Sequence, residues 1–178
     1  MKTQSIFSNL ILYGRSIWQI ARSRLSPKRG IEDILNYRYI SDNIATSGQP
    51  TAQELELISQ AGYKTILNLA PPNASNALPE EKVIVTNLGM EYINIPVVWD
   101  NPIMADFKQF CDVMENHKEQ PIFVHCAMNM RVSAFVYLYR HLKMGVPALE
   151  AYSAMKTVWE PNATWQNFIE TAIASKLT

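Results

Sequence analysis

The residues best equipped for chemistry lie close together in the run His125-Cys126-Ala127-Met128-Asn129-Met130-Arg131. A cysteine becomes a strong nucleophile as the thiolate, and a nearby cation or helix N-terminus favours that form. Arg131 supplies a permanent cation whose planar fork suits two oxygens of a phosphoryl group. Ahead of the run, Pro121-Ile122-Phe123-Val124 is a short, continuous apolar stretch, as expected of a central strand buried on both faces. After it, Phe135, Leu138 and Leu142 mark the buried side of a helix. A strand ending at His125-Cys126 and feeding a helix directs the backbone N–H groups of Ala127 through Arg131 at one point, an anion site. A thiolate beside a captured phosphoryl group is a nucleophile in place for covalent catalysis. The plainer alternative is a cysteine that merely ends a core strand. His125, Asn129 and Arg131 crowded about it ahead of a helix favour a reactive loop.

Phosphoester cleavage also needs a proton for the leaving oxygen, commonly from a carboxylic acid on a movable loop. Trp99-Asp100-Asn101-Pro102 sits between an expected strand and an expected helix, and Asp100 is the candidate acid. Asp106 competes with it, but an acid at a helix start has capping as its simpler role. His125 is read as organising the loop through hydrogen bonds. Ser133 has two readings: a donor to the Cys126 sulfur, or a first-turn serine bonded to backbone. Trp159-Glu160-Pro161-Asn162 either lines the pocket or breaks one helix and caps the next, and the second account is preferred. Cys111 falls on an apolar stripe with Phe107, Phe110 and Met114, which makes it a buried, inert thiol. Asn68, inside an apolar run, is read as a hydrogen-bonded support.

These residues require a scaffold of alternating elements. Strands are expected over Tyr37–Ile40, Ile44–Thr46, Thr65–Leu69 and Tyr92–Ile95, besides the one leading to Cys126. Thr51 opens a helix with Glu54 completing a capping box, and Gly62 ends it. Further helices are expected from Pro79 to Gly89, over Asp106–His117, from the cysteine loop to Lys143, and over Pro147–Thr157 and Asn162–Ser175. Strands alternating with helices give the α/β class, a small and mainly parallel sheet flanked by helices.

Composition narrows the functional classes. The chain of 178 residues fits one folded domain. Six of the sixteen basic residues and none of the sixteen acids fall in residues 1–30, leaving ten bases against sixteen acids in 31–178. A body of that sign has no general attraction for nucleic acid, so positive potential for an anionic substrate must be local. Two cysteines and three histidines show no zinc-ligand spacing, and neither a metal nor a cofactor is expected. A reducing, cytoplasmic setting is the expectation. Residues 1–30 form a separate basic segment and linker ahead of a domain at 31–178. Ile6, Phe7, Leu10, Ile11, Ile17 and Trp18 recur there at helical spacing between arginines. A segment docked on the domain or frayed, peripheral contact with anionic lipid, and an organelle transit peptide all stay open for it.

Taken together, the motifs resemble the dual-specificity branch of the cysteine-dependent, protein-tyrosine-phosphatase-like family. They are most similar to small bacterial phosphatase-like domains, some of them attached to β-lactamase-fold hydrolases. The likeness spans about residues 37–170. It comprises Ser47-Gly48-Gln49-Pro50, Ile66-Leu67-Asn68-Leu69, Ile95-Pro96 before an acidic loop, His125-Cys126, and Trp159-Glu160-Pro161-Asn162. The resemblance implies Cys126 as nucleophile, Arg131 as phosphate clamp, Asp100 as acid, a phosphocysteine intermediate and a phosphorylated protein or small molecule as substrate. One departure stands out. The family signature HCxxGxxR places arginine six positions after cysteine, whereas Arg131 is five after Cys126 and Val132 takes the expected position. Ser133 keeps its seven-residue spacing, and Asn129 replaces the glycine, which it can do because asparagine tolerates left-handed backbone. The loop either keeps its length with a displaced guanidinium, or is one residue tighter, as in the CxxGxR pattern of rhodanese-like sulfurtransferases and persulfide carriers. A catalytically inactive phosphate-binding module is the third reading.

Overall fold

The computed structural model describes residues 30–175, and the basic N-terminal segment lies outside the described residues apart from Gly30. Five strands and six helices follow: β1 (Arg38–Ser41), β2 (Ile44–Ser47), α1 (Ala52–Gln60), β3 (Thr65–Asn68), α2 (Glu81–Asn87), β4 (Glu91–Asn94), α3 (Met104–Asn116), β5 (Ile122–His125), α4 (Met130–Leu142), α5 (Ala148–Lys156) and α6 (Ala163–Ala174). A short 3-10 turn at Ile31–Asp33 precedes them. The sheet order is β1-β2-β5-β3-β4, with β1 antiparallel to β2 and the other pairs parallel. This is the α/β class expected, with one antiparallel edge strand.

β5 lies at the centre, and its alternation decides which residue faces which core. Phe123 packs with Leu55, Ile58, Ile66 and Val85 on the side of α1 and α2. Ile122 and Val124 face the larger core with Phe107, Phe110, Phe135, Trp165 and Phe168 from α3, α4 and α6. All four β5 residues are buried, which accounts for the unbroken apolar run in the sequence. α4 is buried along most of its length, from Val132 through Tyr139, so the helix that follows the cysteine is a rigid support.

The Thr51–Glu54 capping box is present: Thr51 Oγ1 accepts the Glu54 amide and Glu54 accepts the Thr51 amide at 2.7 Å. Two helix starts differ from expectation. α2 begins at Glu81 and not at Pro79, because Glu80 holds left-handed backbone at φ 56°. α3 begins at Met104, two residues before Asp106, with Ile103 at its cap position. Asp106 is therefore a first-turn residue and caps nothing. Among the described residues, no helix is long and apolar enough to cross a membrane.

Candidate active site

Cys126 leaves the end of β5 and has no accessible surface; its amide donates to the Ser47 carbonyl at 3.4 Å. Asn129 is left-handed at φ 64° and turns the chain into α4. Left-handed backbone there explains how asparagine replaces glycine, and its side chain is also used. Asn129 Nδ2 donates to the Asn36 carbonyl at 2.7 Å and to Thr46 Oγ1 at 3.0 Å, while Asn36 Nδ2 returns a bond to the Met128 carbonyl at 3.0 Å. The Ala127 carbonyl accepts from the Gln49 amide at 3.2 Å and from Asn76 Nδ2 at 3.0 Å. In a trans peptide the following N–H points opposite to the carbonyl, so these anchors turn the Met128 amide away from them. The first bond into α4 comes from the Ser133 amide to the Asn129 carbonyl, at 2.9 Å. The amides of Met130, Arg131 and Val132 thus belong to the open first turn of a helix, where anions bind. Gly48 explains its place in the Ser47–Pro50 motif: a Cβ there would lie 2.9 Å from Leu35 Cδ2 and 3.1 Å from the Ala127 carbonyl.

Arg131 is the second residue of α4. Its Nε is buried without a hydrogen-bond partner among the described residues, and its guanidinium carbon lies 5.3 Å from the centre of the Trp99 ring. The clamp candidate is thus held by an aromatic face and keeps its fork uncommitted. Trp99 packs on Trp159 and Trp165, and its carbonyl accepts from Trp165 Nε1 at 3.0 Å. The loop carrying Asp100 is therefore anchored one residue before the acid, which itself is exposed. Asp106 is half-buried, and burial raises its pKa above the ordinary aspartate value. The Ser133 hydroxyl donates to the Met130 carbonyl at 2.9 Å and accepts from Trp159 Nε1 at 3.1 Å. It ties the first turn of α4 to Trp159. Asn162 caps α6 through the Trp165 amide, and Glu160 pairs with Lys156 at 3.7 Å.

Glu81 was not singled out by its sequence context. It is 6% exposed and accepts from Gln49 Nε2 at 2.5 Å, Asn68 Nδ2 at 2.8 Å and Tyr92 Oη at 3.0 Å, with His125 Nε2 at 3.2 Å. Burial alone would raise its pKa, but His125, Gln49 and Tyr92 hold it below the ordinary glutamate value. Asn68 also receives the Ala70 amide at 2.7 Å, the supporting role expected of it. A signal does exist in the sequence. Ser47, His125, Asn68 and Asn94 end β2, β5, β3 and β4 and stand side by side in the sheet register. In an open α/β sheet, ligands bind beyond this carboxyl end of the strands.

Residues 30–170 match the family described as DSP-PTPase phosphatase fused to NAD+ kinase. The chain belongs to that family. A solved structure of a candidate phosphatase of the DUF442 group, from Shewanella putrefaciens CN-32, superposes on this phosphatase-family domain with a TM-score of 0.75 and 32% identity. The match covers 82% of this chain and 96% of that one. TpbA from P. aeruginosa, solved in complex with phosphotyrosine, shares the fold at a TM-score of 0.59 and 16% identity, over 83% of this chain and 85% of that one. Among curated proteins, the beta-lactamase hydrolase-like protein of Agrobacterium fabrum is 31% identical over 90 residues, covering 49% of this chain and 21% of that protein. Its counterpart in Xylella fastidiosa is 28% identical over 95 residues, covering 52% and 22% respectively. The chain spans about a fifth of the length of these curated relatives.

Proposed function

We propose that the chain is a cysteine-dependent phosphatase that hydrolyses a phosphomonoester through a phosphocysteine intermediate, without a metal ion. The observation that carries this reading is the junction of β5 and α4, where Cys126 lies four residues before the open first turn of the helix. Arg131, inside that turn, has its Nε buried without a hydrogen-bond partner among the described residues. In this mechanism the amides of the loop and the Arg131 fork hold the phosphoryl oxygens. The Cys126 thiolate forms the S–P bond as the P–O bond to the leaving group breaks, and Asp100 gives its proton to the departing oxygen. Water then attacks phosphorus, the S–P bond breaks back to thiolate, and Asp100 takes up the proton released. His125, Asn129 and Ser133 hold the loop in shape from behind. Because Cys126 has no accessible surface here, substrate reaches it only after neighbouring side chains part.

Phosphorylated tyrosine on a peptide is the first substrate to try, since the related fold of TpbA was solved with phosphotyrosine. Hydrolysis of a small aryl phosphate by the wild-type protein, retained in the presence of a chelator, tests the reading. The five-residue spacing from Cys126 to Arg131 supports a second one, sulfur transfer through a Cys126 persulfide. Thiosulfate-dependent persulfide on Cys126 with no phosphoester hydrolysis would select that second reading.

A further inference from the structure

A buried carboxylate usually costs more than it returns unless every oxygen is paired. Glu81 is paired on both: Gln49 Nε2 and His125 Nε2 face one oxygen, and Asn68 Nδ2 and Tyr92 Oη face the other. The partners come from four places, namely the chain after β2 and the strands β3, β4 and β5. Each presents a donor, so the cluster requires two acceptor oxygens, which an ionised carboxylate supplies and an amide does not. His125 is the residue before Cys126, and its ring has no accessible surface. Neither ring nitrogen makes a well-aligned hydrogen bond, which leaves the 3.2 Å approach of Nε2 to Glu81 as its polar contact. Glu81 is thus the one polar anchor of the ring among the described residues.

We propose that Glu81 is a positioning residue for the cysteine loop, holding His125 by Nε2 and so fixing the ring, its tautomer and the direction in which Cys126 leaves β5. This deepens the phosphatase reading and rests on Cys126 being the reactive group of that site. The molecule contains its own control. Glu91 makes the same kind of pair with His117 Nε2 at 3.0 Å, but on the surface and away from the cysteine loop.

The test compares Glu81→Gln with Glu91→Gln in the full chain, with urea titrations to establish the folded fraction. Nitrogen-15 NMR of labelled histidine reads the His125 ring, and calorimetry reads the binding of tungstate as an oxyanion probe. Glutamine at position 81 turns one acceptor into a donor facing donors. The expected result is a changed His125 nitrogen pattern and tungstate binding weakened about tenfold, with Glu91→Gln leaving both unchanged. A folded Glu81→Gln protein with wild-type His125 signals and wild-type tungstate affinity would overturn the proposal. Where Glu81→Gln does not fold, Tyr92→Phe decides, since it removes one donor from the same carboxylate. The same changes at about two- to threefold support the proposal, and none overturns it. A wild-type protein that neither binds tungstate nor hydrolyses an aryl phosphate removes the phosphatase reading instead, and the His125 signals alone then judge Glu81.

Discussion

Cys111 and Cys126 are both buried, with 4% and 0% of their surface exposed, and both border the larger apolar core, yet they stand at different places in the chain. Cys111 faces the aromatic core from the middle of α3, and burial pushes its thiol up to about 12. Burial outweighs the pull of Lys143 on a charged sulfur, so it stays a thiol and behaves as a small apolar group. Cys126 follows the last residue of β5 and comes four residues before α4, with Arg131 second in that helix. Burial therefore does not distinguish an inert cysteine from a reactive one. In the phosphatase proposed here, the difference lies in the backbone donors and the Arg131 cation that follow Cys126.

The largest expected effect comes from the cysteine itself. Cys126→Ser should lower aryl phosphate hydrolysis by at least roughly a thousandfold while circular dichroism stays native, because the nucleophile is lost and the fold is not. Next in size is the acid. Asp100→Asn should slow poor leaving groups by about 10²–10⁴-fold and activated phenols far less. Equal losses on both would transfer the role to Asp106, whose carboxyl is pushed by burial above the ordinary aspartate value. Arg131→Lys should raise KM on the order of tenfold, since an ammonium keeps the charge but not the fork. The paired change Arg131→Gly with Val132→Arg restores six-residue spacing but places a guanidinium where Val132 is fully buried in the larger core. It should therefore lower the urea midpoint and keep activity only where the new side chain turns into the cysteine loop.

Two smaller effects concern stability. Glu81→Gln should cost about 2 kcal/mol at neutral pH in a urea titration. Because the folded pKa of Glu81 is depressed, its contribution is full above the ordinary glutamate value near about 4.3 and is lost as pH falls through the folded value. The gap between wild type and the glutamine variant should therefore narrow on acidification below that point. Cys111→Ser should be the mildest, leaving turnover unchanged and costing about 1–2 kcal/mol for a hydroxyl placed among apolar groups.

Much of this arrangement was legible in the residues. The apolar run into His125-Cys126, the stripe through Phe107, Phe110, Cys111 and Met114, and the Thr51–Glu54 box are local patterns, and local patterns are what periodicity and capping rules detect. The two misplaced helix starts were set by a left-handed Glu80 and an uncapped Ile103, neither of which has a distinctive residue type. Glu81 was missed for a different reason. Its partners lie at positions 49, 68, 92 and 125, and only the parallel register of β5, β3 and β4 brings them together. The anchoring of Asn129 by Asn36 and Thr46 is likewise a product of distant chain segments meeting. Sequence spacing singled out Cys126, and tertiary structure supplied the residues that hold its loop.

The most direct measurement is a rapid acid quench of the wild-type protein turning over an aryl phosphate, followed by peptide mass spectrometry. The account predicts one phosphoryl group on the peptide containing Cys126, none on the peptide containing Cys111, and a higher yield from Asp100→Asn, where no carboxylate remains to help water attack. Turnover with no phosphoryl group on Cys126, undiminished in Cys126→Ser, would contradict it.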